Sequence, residues 1–119
     1  MPAVLWATMI FVISSMSKPP EIPQPSVPGI DKFDHFAAYA VLGALVFLAL
    51  RRTHNLCIDR ALLLAILITS AYGVTDEFHQ RYIPNRTCDV WDWTADTLGG
   101  IFAASACAYE SHRRSKTNR

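Results

Sequence analysis

Charged residues are scarce in this chain of 119 residues. They make up 18% of it, against about 25% in typical soluble domains, whereas 51% of the residues are hydrophobic. The few charges lie between long apolar runs, as in proteins that span a bilayer. A basic face interleaved with aromatic side chains is lacking as well, so we expect the lipid bilayer, and no nucleic acid, as a partner.

Cysteine is also rare, and the three residues that occur show no CxxC spacing: Cys57, Cys88 and Cys107. An odd number of widely separated cysteines argues against a disulfide framework and against a thiolate metal site. We expect them to be bystanders in apolar or interfacial surroundings.

Four apolar segments fill most of the sequence, and a membrane span needs about 20 residues. We predict one all-α domain over residues 1–119, a bundle of four transmembrane helices, with spans at approximately 2–17, 32–50, 60–80 and 90–110. The first segment is short for a span, but it lacks the basic start of a signal peptide, so we expect it to be retained. Prolines make residues 18–30 an extended connector.

The basic residues predict an orientation. Seven of the eleven Lys and Arg residues lie in the 51–60 connection and the C-terminal tail, which the positive-inside rule places in the cytoplasm. We therefore predict a multi-pass protein of the cytoplasmic membrane with both termini inside. Eight of the ten acids then lie at the outer side, because only Asp59 and Glu110 fall on the cytoplasmic side. This concentration of acids is the main indication of a functional site.

Polar residues at the predicted outer helix ends have helical spacing, which places them on shared faces. They are Asp31, His35 and Tyr39 on the second helix, Asp76, Glu77 and Gln80 on the third, and Asp92 and Asp96 on the fourth. Asp76 and Glu77 end a helix, where the helix dipole disfavours anions by about 0.3–1 kcal/mol each. We therefore predict that Arg86, in the following turn, pairs with one of them.

Several of the polar and aromatic residues have a purely structural explanation. Asp31 and Asp89 suit helix N-caps, and Trp91 and Trp93 suit an aromatic belt at the membrane interface. Small residues leave room for close helix approach: Gly73, Gly99 and Gly100.

Asp96 lies about two turns inside the fourth helix, where an acid at mid-membrane costs about 2.5–3.5 kcal/mol. We expect it to face the bundle interior, to be hydrogen-bonded to the hydroxyl of Tyr39 or Thr75, and to be protonated for much of the time at neutral pH. On that basis Asp96→Asn should be tolerated, and Asp96→Leu should damage the site.

Three fragments, in this order and over about residues 30–100, resemble the signature of VanZ-like membrane proteins. They are Asp31-Lys32-x-x-His35-x-x-x-Tyr39, Asp76-Glu77-x-x-Gln80, and Arg86 followed by Asp92 and Gly99. Asn85 stands where the family usually has glycine, and Asp96 where it usually has asparagine. The resemblance implies a cell-envelope context and a link to susceptibility to glycopeptide antibiotics of the teicoplanin type.

Two functions follow as alternatives. The first is a non-enzymatic protein whose outer site binds a cell-wall lipid precursor or a glycopeptide, with Lys32 and Arg86 contacting phosphate or carboxylate groups. The second is an intramembrane enzyme acting on a lipid-linked substrate, for which His35, Asp76 and Glu77 are the catalytic candidates. Motifs such as HExxH are lacking, and we expect no cofactor. A divalent cation stays possible, and its ligands would be His35, Asp76, Glu77 and Asp92.

Overall fold

The computed structural model describes residues 2–15, 30–83 and 90–118, with side chains from residue 33 onward in the second range. This part of the chain consists of four α-helices and contains no β-strand, which confirms the predicted all-α fold. The helices are α1 (Pro2–Ser14), α2 (Ile30–Arg52), α3 (Ile58–Gln80) and α4 (Val90–Thr117).

Two helices in the described part of the chain are long and apolar enough to cross a membrane, over Phe33–Arg52 and Ile58–Gln80. A helix of 23 residues, such as α3, is about 34 Å long, which matches a hydrocarbon core of about 30 Å. α1 is apolar but has only 13 residues. α4 has 28 residues, and Asp92 and Asp96 lie near its start. Membrane crossing by α1 and α4 therefore stays a prediction.

Large apolar side chains cover much of the outside of the bundle. Leu5, Leu63, Trp91 and Phe102 are each more than half exposed. A soluble monomer rarely exposes apolar patches of this extent, and such a surface is typical of contact with lipid. The bundle also buries apolar side chains such as Leu42 and Phe47, together with alanines and several polar residues.

Glycines bring α2, α3 and α4 into close contact. A Cβ at Gly99 would collide with the carbonyl oxygen of Phe36, and one at Gly43 would lie 2.8 Å from the Cα of Gly100. A Cβ at Gly100 would lie 2.7 Å from the Thr69 methyl group. The predicted role of Gly99 and Gly100 is confirmed, and Gly43 is a further contact of the same kind.

α1 packs against α2 and α3 through polar contacts as well as apolar ones. The Trp6 indole Nε1 donates to the carbonyl oxygen of Ala38 at 2.8 Å, and the Tyr72 hydroxyl donates to that of Ala7 at 2.5 Å. Ile10 is buried beside Tyr39. These contacts place the C-terminal end of α1 beside the C-terminal end of α3.

The connection between α2 and α3 is a tight turn at the end of the bundle opposite the acids. Asn55 takes a positive φ of 54°, which asparagine tolerates better than most residues. The Arg51 guanidinium donates to the carbonyl oxygen of Leu56 at 2.7 Å. This end, with the exposed Arg52 and Arg60 and the C-terminal part of α4, is called the basic end below.

α4 continues past the predicted end near residue 110 to Thr117. Glu110 accepts from Arg113 and from Arg114, both at 3.0 Å. Pairs at i, i+3 and i, i+4 stabilise an exposed helix by a few tenths of a kcal/mol each, about 0.2–0.5. The basic tail is therefore the last two turns of α4.

Candidate functional site

The start of α2, the end of α3 and the start of α4 meet at the end of the bundle away from the basic end, which is called the acidic end below. The polar side chains buried there are those of Tyr39, Asp76, Glu77, Gln80, Asp92 and Asp96. His35 is half-buried and lies among them. The antiparallel order of the three helices brings together residues that are up to 61 positions apart in the sequence.

A partly buried contact in this group joins α2 to α4. Nδ1 of His35 lies 2.9 Å from Oδ1 of Asp96, and the Asp96 carboxyl group is fully buried. Nε2 of the same ring lies 3.9 Å from Oδ2 of Asp92, one helical turn nearer the start of α4. The imidazole is therefore held between two carboxylates of α4.

A second buried pair joins α2 to α3. The Tyr39 hydroxyl donates to Oδ2 of Asp76 at 3.0 Å, and the exposed fraction of the tyrosine is 1%. The Tyr39 ring also packs against the Tyr72 ring, with centroids 6.1 Å apart. Tyr39 thus fixes the Asp76 carboxylate by a hydrogen bond and does not bond Asp96.

Glu77 approaches the histidine–aspartate pair from α3. One side-chain ligand atom from each of His35, Glu77 and Asp96 can be chosen so that all three lie within 4.8 Å of one another. The ligands predicted for a divalent cation were His35, Asp76, Glu77 and Asp92, and Asp96 was not among them. The structure instead groups Asp96 with His35 and Glu77 and directs Asp76 to Tyr39.

The expected surroundings of Asp96 are partly confirmed. Its side chain faces the bundle interior, as predicted from its depth in α4. The prediction of a hydroxyl partner is wrong, because the hydrogen bond goes to the His35 imidazole. Thr75 is exposed and its hydroxyl donates to the carbonyl oxygen of Tyr72. Helical spacing places residues on a face but does not fix the depth of one helix against another, and that depth selects the partner.

Three predicted site residues lie outside what the structure describes. Arg86 falls in 84–89, and the side chains of Asp31 and Lys32 are not among those described. Pairing of Arg86 with Asp76 or Glu77 therefore stays a prediction, as does phosphate contact by Lys32.

α1 contributes polar groups to the acidic end that the sequence did not indicate. Ser14 is buried, and the Gln80 amide lies 3.5 Å from its hydroxyl. The Ser15 hydroxyl lies 3.0 Å from Nε2 of His79, whose ring stacks on Phe11 with centroids 5.0 Å apart. Serines at the end of an apolar helix carry no motif, so only the packing of α1 reveals this contribution.

Trp93 is a helix contact and not only part of an aromatic belt. Its indole Nε1 donates to the carbonyl oxygen of Ser70 at 3.1 Å, and its ring lies beside Gly73. Trp91 is 66% exposed, as a side chain at a membrane interface would be. The two tryptophans therefore have different surroundings although they are two residues apart.

The arrangement supplies two kinds of chemistry. An imidazole between carboxylates can take up or release a proton, and buried carboxylates bind cations or hydrogen-bond donors more strongly than exposed ones. Proton transfer and cation binding at this site both require a polar ligand that reaches the acidic end.

Of three comparisons with known proteins, the one with protein families gives a match. No curated protein and no solved structure matches the chain. The family described as VanZ/LLP1 matches residues 2–109, which include all four helices up to the last turns of α4. The chain therefore belongs to the VanZ/LLP1 family.

Proposed function

We propose that this protein is a multi-pass protein of the cytoplasmic membrane whose polar site binds the head group of a cell-envelope lipid, a cell-wall lipid precursor, at the outer face. All four helices cross the membrane in this proposal, and both termini are cytoplasmic. The basic end then lies inside, where seven of the eleven Lys and Arg residues are found. A glycopeptide is the second candidate ligand of the same site.

The observation that carries the proposal is the contact between the half-buried His35 and the fully buried Asp96 within a bundle of apolar exterior. Polar residues within membrane helices cost free energy, because hydrocarbon offers no compensating hydrogen bonds. Such residues are therefore usually functional. Apolar residues of equal volume would pack the same helices at least as well. The presence of this polar pair in the chain supports a ligand that uses it.

Position favours a lipid over a ligand from bulk water. The site lies at the ends of three helices, and several large side chains around it that face outward are apolar, among them Phe33, Phe78 and Trp91. A lipid with its acyl chains along the bundle would place its head group at this depth. The family membership agrees with a role in the cell envelope.

Titration of the purified protein in nanodiscs with a short-chain analogue of a cell-wall lipid precursor tests the proposal, because hydroxyl and amine groups of such a head group can donate to the buried carboxylates. The fluorescence of Trp91 and Trp93, at the start of α4, reports binding. We expect saturable binding that Glu77→Gln weakens at least tenfold. Glu110→Gln is the matched control, because Glu110 lies in α4 toward the basic end, and it should bind like the natural protein. Equal binding by the natural protein and Glu77→Gln would reject the proposed site.

The link to glycopeptides has a separate test in cells. Expression of the natural protein should raise the teicoplanin concentration that stops growth, and Glu77→Gln at equal abundance in the membrane should not. An unchanged inhibitory concentration with a functional lipid site would remove the glycopeptide role and keep the lipid role.

An intramembrane enzyme is the second candidate function, and the contact between Asp96 and Nδ1 of His35 favours it. A carboxylate on one ring nitrogen orients an imidazole for proton transfer through the other. Release of the head group from the bound lipid, followed by mass spectrometry, distinguishes catalysis from binding. Intact lipid after prolonged incubation would leave binding alone.

A further inference from the structure

Side chains from three helices converge at one point of the acidic end. His35 reaches it from α2, Glu77 from α3 and Asp96 from α4, and their ligand atoms all lie within 4.8 Å of one another. The exposed fractions of Glu77 and Asp96 are 5% and 0%. A cluster of this kind is by itself no more than a set of acids beside a histidine.

A second observation concerns the other oxygen of Asp96. Oδ2 is buried and has no hydrogen-bond partner within the part of the chain that the structure describes. It lies next to α3, 3.3 Å from where a Cβ of Gly73 would be. Gly73 and Glu77 are four residues apart and share one face of α3, so this oxygen points to the face from which Glu77 reaches the cluster.

A buried carboxylate oxygen without a partner leaves the free energy of its desolvation uncompensated, at about 1–3 kcal/mol. Native structures rarely keep such an atom without a reason, and an ion is one of the common reasons. Glycine at position 73 lets the Asp96 carboxylate lie against the backbone of α3, where an added Cβ would be only 3.3 Å from Oδ2.

We propose that His35, Glu77 and Asp96 bind a divalent transition-metal ion such as Zn²⁺ or Mn²⁺. The proposal deepens the proposed function and rests on it in one respect, since the bound ion would present an open position to a phosphate oxygen of the lipid head group. Binding of the ion itself requires no lipid.

The separations suit such an ion. Nitrogen and oxygen ligands lie about 2.0–2.2 Å from zinc, so neighbouring ligand atoms are about 3–3.5 Å apart in a tetrahedral site. Nδ1 of His35 and Oδ1 of Asp96 are 2.9 Å apart, close to that range. An ion bound by both oxygens of the Asp96 carboxylate would also give the unpartnered Oδ2 its partner. The ligand atom of Glu77 lies within 4.8 Å of the other two, so its carboxylate would have to move closer when the ion binds.

Charge and outer contacts agree with the same assignment. Two carboxylates and a neutral imidazole give the ligand set a charge of −2, which a divalent ion neutralises. When Nδ1 binds the metal, the proton of the imidazole resides on Nε2, which faces Oδ2 of Asp92 at 3.9 Å. Carboxylates in that position orient metal-bound imidazoles in many proteins.

The donor types select the class of metal. An imidazole nitrogen favours zinc, iron, nickel and copper over magnesium and calcium, and carboxylates extend the range to manganese. We therefore expect Zn²⁺ and Mn²⁺ to bind more tightly than Mg²⁺ or Ca²⁺.

The test is metal binding by the full chain, purified with a chelator and then titrated without lipid. Electron paramagnetic resonance measures the loss of free Mn²⁺, and calorimetry measures Zn²⁺ binding. We expect one ion per chain. Glu77→Gln and Asp96→Asn should each weaken binding at least tenfold, because an amide of the same shape removes one anionic ligand.

Asp59→Asn is the matched control. Asp59 pairs with a different histidine, since its Oδ1 lies 3.6 Å from Nε2 of His112, and it lies exposed at the basic end. Its substitution should leave metal binding unchanged. Binding that Asp59→Asn abolishes, or that Asp96→Asn and Glu77→Gln both retain, would overturn the proposal, as would the absence of binding to the natural protein.

Thermal unfolding identifies variants that fail to bind metal because they are not folded. Zn²⁺ should raise the midpoint of the natural protein and leave that of folded Asp96→Asn in place. Lipid titration in the presence of a chelator separates this proposal from the proposed function. If the protein binds lipid but no metal, only the metal proposal is rejected. If it binds metal but no lipid, only the proposed lipid function is rejected.

Discussion

Asp96 is a carboxyl group buried completely in α4, and its hydrogen-bond partner is an imidazole from α2. An imidazole can carry the proton itself, so the carboxyl group beside it can stay ionised. A hydroxyl group cannot take up a proton, so a buried acid beside it is protonated instead. The expectation that Asp96→Asn is fully tolerated rested on a hydroxyl partner. With His35 as the partner, a substitution of Asp96 can affect the stability of the bundle and the function of the site differently.

We predict that Asp96→Asn keeps the stability of the bundle and that Asp96→Leu does not. The asparagine carbonyl oxygen can still accept from Nδ1 of His35, whereas leucine leaves that nitrogen without its acceptor. The free energy of unfolding should fall by about 1–3 kcal/mol in Asp96→Leu. Unfolding by a denaturing detergent, followed by circular dichroism, measures the difference. Equal losses in the two variants would show that the hydrogen bond does not stabilise the bundle.

Tyr39→Phe is predicted to destabilise the site without removing its packing. Phenylalanine keeps the ring that packs on Tyr72 but leaves the buried Asp76 without the hydroxyl donor at 3.0 Å. A loss of about 1–3 kcal/mol in the free energy of unfolding is expected. Tyr109→Phe is the control, since Tyr109 is 71% exposed and should change stability little. A similar effect of both substitutions would contradict the assigned role of Tyr39.

At the scale of the helices, the sequence predicts the elements well because apolar length and proline positions mark them. The predicted spans at 32–50 and 60–80 correspond to α2 and α3, each within a few residues at either end. The end of α4 could not be predicted from hydrophobicity, because its last turns are held by contacts of Glu110 with Arg113 and Arg114. Ion pairs on an exposed helix leave no apolar signal.

Close helix approach gives a prediction at this scale. Gly99→Ala should destabilise the bundle by more than Gly73→Ala, because the new methyl group would collide with the backbone of Phe36. At Gly73 the neighbours are the Trp93 ring at 3.2 Å and Cβ of Asp96 at 3.3 Å, and side chains can move by a few tenths of an ångström. Backbone atoms of a packed helix cannot move independently. Midpoints of thermal unfolding in detergent compare the two variants, and a larger effect of Gly73→Ala would contradict this packing.

Across the whole molecule, the residues of the site were predictable and their pairing was not. His35, Tyr39, Asp76, Glu77, Asp92 and Asp96 all lie at the acidic end, as helical spacing and alternating helix direction indicate. Which side chains meet depends on the relative depth and rotation of three helices. Gly43, Gly99 and Gly100 set those quantities through van der Waals contact. The polar contribution of α1 through Ser14 and Ser15 had no signal in the sequence, because it depends on how that helix packs.

The side of the membrane on which the acidic end lies tests the proposed function most directly, because a cell-wall lipid precursor is used at the outer face. In cells, an impermeant thiol reagent should modify Ser26→Cys, in the connection between α1 and α2, in a background whose native cysteines are serine. It should not modify Asn55→Cys, at the exposed turn of the basic end, until the membrane is permeabilised. Labelling of Asn55→Cys but not of Ser26→Cys in intact cells would place the acidic end in the cytoplasm and contradict the proposed function.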